Sequence, residues 1–382
     1  MRLERRAYHG SHMKVRRDLL AASLTAALTL AAAGQTPSFQ GLGQMPGSIF
    51  AGGTYSSGIS GDGSTIMGYG WVCAGGQPKC NSTGTVQAYL WTVAGGYQIL
   101  GSPSNSDFFG AGAISYDGSA VAGEHPIGNA SRFEAFRWTA ALGLKQLPMN
   151  IASAITADGK MVAGGDNWWM TSGQAGIFGP FPGEQDQTEA FGLSGTAESA
   201  VAVGAAIKGS GAQGATYHAF RWTLAGGLQD LGVGDGTQSY ATAISADGQV
   251  VVGETFDAFG LNRAFRWTAS TGMQDMGTLG GPESAALAVN AEGTVVVGTS
   301  LTDSSTGSGT SFIWTAKTGM QNLLTVLQAA DVHTADDWVT LVELDGISAD
   351  GMVMSGYGQS PRTKEFPFGN NEPFRVVLPL PQ

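Results

Sequence analysis

Charge is scarce in this sequence: Asp, Glu, Lys and Arg make up only 13% of its 382 residues, about half the ~25% of an ordinary soluble domain. Basic residues are the scarcer sign, 19 against 30 acids, for a formal net charge of −11. That balance argues against non-specific nucleic-acid binding, which needs Lys and Arg to displace phosphate counterions. Signature motifs of catalysis are also missing: no G-x-S-x-G elbow, no H-E-x-x-H and no phosphate-cradling glycine loop occurs. Glycine is abundant, 59 residues, roughly twice the usual ~7%, but without the three-residue period of collagen. Hydrophobic residues at 42% and a mean hydropathy near zero leave enough apolar surface for a core. A disordered chain is not expected.

The first 33 residues read as an address. Lys14, Arg16 and Arg17 precede an apolar run of 15 residues, Leu19 to Ala33, that ends in Ala31-Ala32-Ala33. A basic start, a short apolar stretch and small residues at the end are the marks of a secretory signal peptide. The run is short of the ~20 residues that a membrane span needs. Met13 is a plausible start, and Met1 to His12 are set aside. Removing 1–33 leaves 13 basic and 28 acidic residues, a charge of −15 on a single domain of 34–382. An exported, periplasmic or released protein with no membrane span, and a monomer, is expected. The only cysteines, Cys73 and Cys80, share a Gly/Pro/Asn-rich loop and are expected to pair in an oxidising compartment. A metal site is the weaker reading, since no His or further Cys nearby completes four ligands.

Internal repeats decide the fold. Residues 241–277 read ATAISADGQVVVGETFDAFGLNRAFRWTASTGMQDMG, and the phrase recurs with drift. Its opening returns as SGISGDGSTIMG (57–68), GAISYDGSAVAG (112–123), SAITADGKMVAG (153–164), FGLSGTAESAVAVG (191–204), ALAVNAEGTVVVG (286–298) and DGISADGMVMSG (345–356). Its second part returns as AYLW (88–91), AFRW (135–138 and 219–222), SFIW (311–314) and PFRV (373–376). Trp138 and Trp222 stand 84 residues apart, two periods, so the missing anchor falls near Phe178 in a degenerate third repeat. Asp-Gly between two β-rich runs signals a hairpin, here predicted as a type I′ turn. Ala-Phe-Arg-Trp supplies a third strand and Gly-Met-Gln-Asp-Met a fourth. Four strands recurring seven times describe a seven-bladed β-propeller of four-stranded antiparallel blades. Ser38 to Gly43 reads like a fourth strand, and Phe374 to Val377 like a third with no fourth. Together they complete the last blade and close the ring, which leaves no open edge.

These phrases resemble the HAF-type extracellular repeat family, whose His-Ala-Phe stands here at His218-Ala219-Phe220; the resemblance covers nearly all of 38–377. It implies an exported bacterial β-propeller, often of unassigned function, and a short helix within Asn322 to Gly346 before the last blade. Related repeats occur as autotransporter passengers, but no membrane-barrel segment follows Gln382 here, so a periplasmic or released protein fits better.

The first strand of each blade should line the channel. Those strands carry small residues and, beside them, only Asp345, so no acid–base machinery is expected there. The Asp-Gly acids Asp62, Asp117, Asp158, Asp247 and Asp350, with Glu292 as a variant, sit one per blade. They are read as turn residues, since a calcium ion needs six to eight oxygens at one point. Trp91, Trp138, Trp222, Trp267 and Trp314 recur at one place and are read as core. Function is then expected in the variable connections on one face. They hold Trp71, Glu124, His125, Asp166, Trp168, Trp169, Glu254 and His333, with His218 at the border. The pair Trp168-Trp169 interrupts the repeat and is a candidate platform for a carbohydrate or peptide. Two functional readings follow. The favoured one is a secreted binding or structural module that presents these loops on one face, open to a carbohydrate, peptide or small molecule. The alternative is a hydrolase of small lactones or esters using calcium or zinc, with Glu124, His125, Asp166 and Glu254 converging; its support is fold-level analogy.

Overall fold

The computed structural model describes residues 35–47, 53–73, 84–100, 110–127, 132–184, 187–209, 215–303, 309–361 and 371–380. The leader, Cys80 and the side chain of Cys73 lie outside these residues, and with them the predicted disulfide.

Seven four-stranded antiparallel sheets follow one another along the chain. Strand β1 (Ser38–Gly41) stands apart at the start. Blade 1 is β2 (Thr54–Ile59), β3 (Thr65–Cys73), β4 (Gly84–Thr92) and β5 (Gly96–Ile99). Blade 2 is β6 (Gly110–Ile114), β7 (Ala120–Ile127), β8 (Arg132–Thr139) and β9 (Gly143–Gln146). Blade 3 is β10 (Ala154–Ile155), β11 (Met161–Gly164), β12 (Asn167–Met170) and β13 (Ala175–Ile177). Blade 4 is β14 (Thr188–Ser194), β15 (Val201–Lys208), β16 (Thr216–Thr223) and β17 (Gly227–Asp230). Blade 5 is β18 (Gln238–Ile244), β19 (Val250–Phe256), β20 (Asn262–Thr268) and β21 (Gly272–Asp275). Blade 6 is β22 (Ser284–Val289), β23 (Val295–Leu301), β24 (Gly309–Thr315) and β25 (Gly319–Asn322). Helix α1 (Leu323–Ala329) follows, and blade 7 is β26 (Thr340–Ile347), β27 (Val353–Gln359) and β28 (Glu372–Val377), completed by β1.

The first strand of each blade touches the first strand of the next all the way round. The chain is a closed seven-bladed propeller. Its closure uses the two half-repeats: Phe39 pairs with Val376 and Gly41 with Phe374. Phe39 also packs edge-on against Trp338, with ring centroids 5.2 Å apart. The short helix expected before blade 7 is α1, capped by Asn322, whose Oδ1 accepts the Leu324 N–H at 2.9 Å.

The Ser-x-Asp-Gly turns differ from the predicted type I′ geometry. Among the described non-glycine residues only Asp331 has positive φ, so the turn aspartates do not adopt it. Instead the Gly248 amide reaches back to the Ser245 carbonyl at 2.9 Å, with only the glycine left-handed at φ +70. This is the longer hairpin built on a right-handed turn with glycine at its fourth position. Ser245 Oγ donates to Asp247 Oδ1 at 2.6 Å, which also accepts the Gln249 N–H at 3.0 Å. Asp62, Asp117, Asp158 and Asp350 are held in the same way by Ser60, Ser115, Thr156 and Ser348. In blade 6 Asn290 serves instead, accepting from the Thr294 and Val295 amides. The turn reading of these acids holds, and local donors occupy their carboxylates.

Successive turns are stitched into a ring. The amides of Tyr116, Ala157, Ala246, Ala291 and Ala349 bond to carbonyls of the following blade's turn, at 2.7–3.1 Å. Arginines of the third strands add a second stitch: Arg137, Arg221 and Arg266 donate to the carbonyls of Gly159, Gly248 and Gly293 in the next blade. Four of the repeated tryptophans, Trp91, Trp138, Trp222 and Trp267, are buried as core; Trp314 is half-buried.

Candidate functional site at the channel mouth

On the face opposite these turns, one local irregularity is repeated. The first strand slips register by one residue between Ser56 and Gly58, Ala111 and Ala113, Ala190 and Gly192, Ala241 and Ala243, and Ala286 and Ala288, with a like shift between Leu344 and Gly346. Such bulges bend a strand and re-aim its side chains. Each one drives a first-strand carbonyl onto a glycine of the second strand. A Cβ on Gly253 would lie 2.0 Å from the Tyr240 oxygen, and one on Gly356 2.2 Å from that of Glu343. Only glycine fits there.

Just beyond these glycines, paired residues form a band around the mouth. They are Tyr55 with Tyr69, Gly110 with Glu124, Glu189 with Ala205, Tyr240 with Glu254, Ala285 with Thr299, and Glu343 with Tyr357. The band is richest where blade 7 meets blade 1. Tyr55 stacks on Tyr69 with centroids 5.3 Å apart and meets Tyr357 edge-on at 5.1 Å. Asp345 bridges the two blades: Ser56 Oγ of blade 1 donates to its Oδ2, and Ser355 Oγ of blade 7 to its Oδ1 at 2.7 Å. Burial pushes the Glu343 carboxyl up to about 7, helped by the nearby Asp345 charge and opposed by a hydrogen bond from Tyr357. Burial likewise raises Asp345 to about 6 against its two serine hydrogen bonds.

A second group lies across blades 4 to 6. Tyr240 stacks on Tyr217 with centroids 5.4 Å apart. Glu254 accepts from Asn262 at 2.5 Å, and burial, with the Glu283 charge, holds its carboxyl above the ordinary range. Between the two groups opens a cavity of about 280 Å³ whose walls include Asn262, Glu283, Thr299, Ser300 and Glu343. The charged neighbours that perturb Tyr69, Tyr240, Glu254, Glu343 and Tyr357 are all acids or tyrosines. A mouth with a field of one sign attracts cations.

The channel wall thus carries a titratable cluster that the sequence reading did not expect. Glu343 and Asp345 belong to β26, and their tyrosine neighbours come from second strands and from β2. Comparing the repeats column by column would have found it, since Tyr69, Glu124, Glu254 and Tyr357 all follow the same glycine.

The residues picked from the sequence are spread over the ring. Trp71, Glu124, His125, His218 and Glu254 sit in strands rather than loops, because the second and third strands run on as extended hairpins. Glu124 is held above the ordinary carboxylate range by burial and takes the Ala152 amide, while its Oε2 has no partner among the described residues. His125 is buried, with Nδ1 3.2 Å from the Pro126 carbonyl. His218 lies 3.0 Å from Asp230, which Lys208 also contacts. His333, exposed between α1 and β26, sits between Asp336 and Asp331, and those hydrogen bonds raise its imidazole. Asp166 is in the tight turn between β11 and β12.

Trp168 and Trp169 are not on a loop. They form the third strand of blade 3, entered by a two-residue turn, and the expected anchor at Phe178 lies beyond the fourth strand. Trp168 packs toward Trp222 of blade 4, centroids 6.3 Å apart, and Trp169 joins the core shared with blade 2. They serve the interblade packing. Among the described residues no group of three or more His, Cys, Asp or Glu side chains is placed to hold a metal ion, so Glu124, His125, Asp166 and Glu254 form no such centre.

No protein-family model and no curated protein sequence matches the chain. Solved structures do. The β-propeller domain of the Trilobed protease from Pyrococcus furiosus is similar over 85% of this chain and 93% of its own, with TM-score 0.54 and 10% identity. TolB from Acinetobacter baumannii is similar over 70% of this chain and 61% of its own, with TM-score 0.43 and 11% identity. The first likeness shows the fold and nothing more. That domain is described as having an open velcro topology; here β1 closes the seventh blade.

Proposed function

We propose that this chain is an exported propeller that binds a cationic ligand, a peptide bearing lysine or arginine, at the acidic mouth. The observation that carries this reading is a cavity lined by Glu283 and Glu343, whose wall residue Asn262 donates to Glu254 and whose Glu343 accepts from Tyr357 of the tyrosine cluster. Carboxylates pair with ammonium or guanidinium groups, and tyrosine faces attract the same cations. The repeat wording supports placing the chain among HAF-type repeats, and the basic-then-apolar leader supports export. No helix of the described residues is long and apolar enough to cross a membrane. Pairing of Cys73 with Cys80 belongs to the same reading, because export brings an oxidising compartment.

Calorimetric titration with N-acetyl-trilysine amide, its glutamate counterpart and a neutral oligosaccharide tests the ligand class. Trilysine should bind at pH 8, weaken as salt rises, and lose about tenfold in affinity in Glu343→Gln. Binding of the oligosaccharide alone would replace the cation by a sugar as the ligand.

A further inference from the structure

On the opposite face, we propose a second ligand site, for a planar aromatic anion, in the groove where blades 5, 6 and 7 meet. It is independent of the mouth. The groove encloses about 280 Å³, just under the ~300–1,000 Å³ of ligand pockets. Its apolar walls are Trp314, Val295, Met352 and Leu380, and its cations are Arg266 and Lys317.

Three features point to the ligand's chemistry. First, Trp314 is half-buried, whereas its counterparts Trp91, Trp138, Trp222 and Trp267 are buried, so an indole surface remains to be covered. Second, the Arg266 guanidinium lies over that indole, 5.9 Å from the ring centroid, and donates Nε and Nη2 to the Gly293 carbonyl. Among the described residues it forms no ion pair with a carboxylate, and burial holds its guanidinium below the ordinary range. Asp350 lines the groove too, but its Oδ1 is taken by Ser348 Oγ at 2.5 Å and the Met352 amide at 3.0 Å. Third, the sister groove between blades 1 and 2 has Leu90 where Arg266 stands and Ala141 where Lys317 stands. That groove therefore lacks the Arg266–Lys317 pairing, which stands out in a chain of net charge −11.

A flat ring would stack on Trp314 while its carboxylate, sulfonate or phosphate meets Arg266 and Lys317, a geometry that guanidinium suits. The test is calorimetric titration of the full chain with 2-naphthoate and with neutral 2-naphthamide. Naphthoate should bind one to one, and naphthamide about tenfold more weakly. Lys317→Glu, an exposed change that leaves the fold intact, and Arg266→Gln should each weaken naphthoate about tenfold. Trilysine binding at the mouth should be unchanged in Lys317→Glu. The site is overturned if naphthoate does not bind, if the amide binds as well as the acid, or if Lys317→Glu leaves its affinity unaltered.

Discussion

Gly253→Ala is expected to destabilise the propeller by about 3 kcal/mol or more, or to prevent folding. The added methyl would meet the Tyr240 oxygen at 2.0 Å and the Ala241 Cα at 2.9 Å. Both are backbone atoms of a buried bulge, so no rotamer change relieves the clash. Accommodating it means undoing the register shift, which would turn Tyr240 and Glu254 away from the mouth. Gly272→Ala is the control. Gly272 has φ +65 with open space around it, so alanine there should cost only about 1 kcal/mol. Denaturant midpoints of the two variants should differ clearly, and equal losses would mean that the bulge does not shape the mouth.

Stability should fall as pH rises from about 4 to about 8. Glu343 and Asp345 titrate near 7 and 6 in the folded chain, above the ~4 of unfolded carboxyls. The folded state therefore holds protons that the unfolded state has released, and its advantage is full below pH ~4 and lost as pH passes through the folded values. For Glu343 the loss is on the order of 3 kcal/mol; coupling to Asp345 makes the two contributions inseparable. Asp117, Asp158 and Asp230 act oppositely: hydrogen bonds hold their carboxyls below the ordinary range, so stability declines again in stronger acid. Urea unfolding should thus show maximal stability near pH 4–5. Glu343→Gln should flatten the limb above pH 5, and an unchanged slope would show that this carboxyl is not raised.

Much of the architecture was legible because each repeat is locally complete. The Asp-Gly turns, the Val-x-Gly strands and the Phe-Arg-Trp strands are written within one blade, and the half-repeats at 38–43 and 374–377 announce their own pairing. Asp-Gly alone does not tell whether both residues or only the glycine is left-handed; the Ser245–Asp247 hydrogen bond favours the second. Blade 3 departs from the repeat pattern for a related reason. Its strands are only two to four residues long, so Trp168 and Trp169 fall where a full-length repeat would have a loop. The mouth was the least legible part. Its bulges are invisible in composition, and Glu343 of the last blade lies near Tyr69 of the first, about three quarters of the chain away. The arginine stitches were likewise hidden, since each acceptor carbonyl belongs to the following blade.

Affinity for N-acetyl-trilysine amide at pH 5.5 and pH 8 tests the acidic mouth most directly. Lysine stays charged at both values, with a pKa near ~10.4, while Glu343, at about 7, passes from largely protonated to largely ionised. The mouth account predicts binding about tenfold tighter at pH 8, over the same interval in which the free protein becomes less stable. Equal affinity at the two values, or tighter binding at pH 5.5, would contradict it.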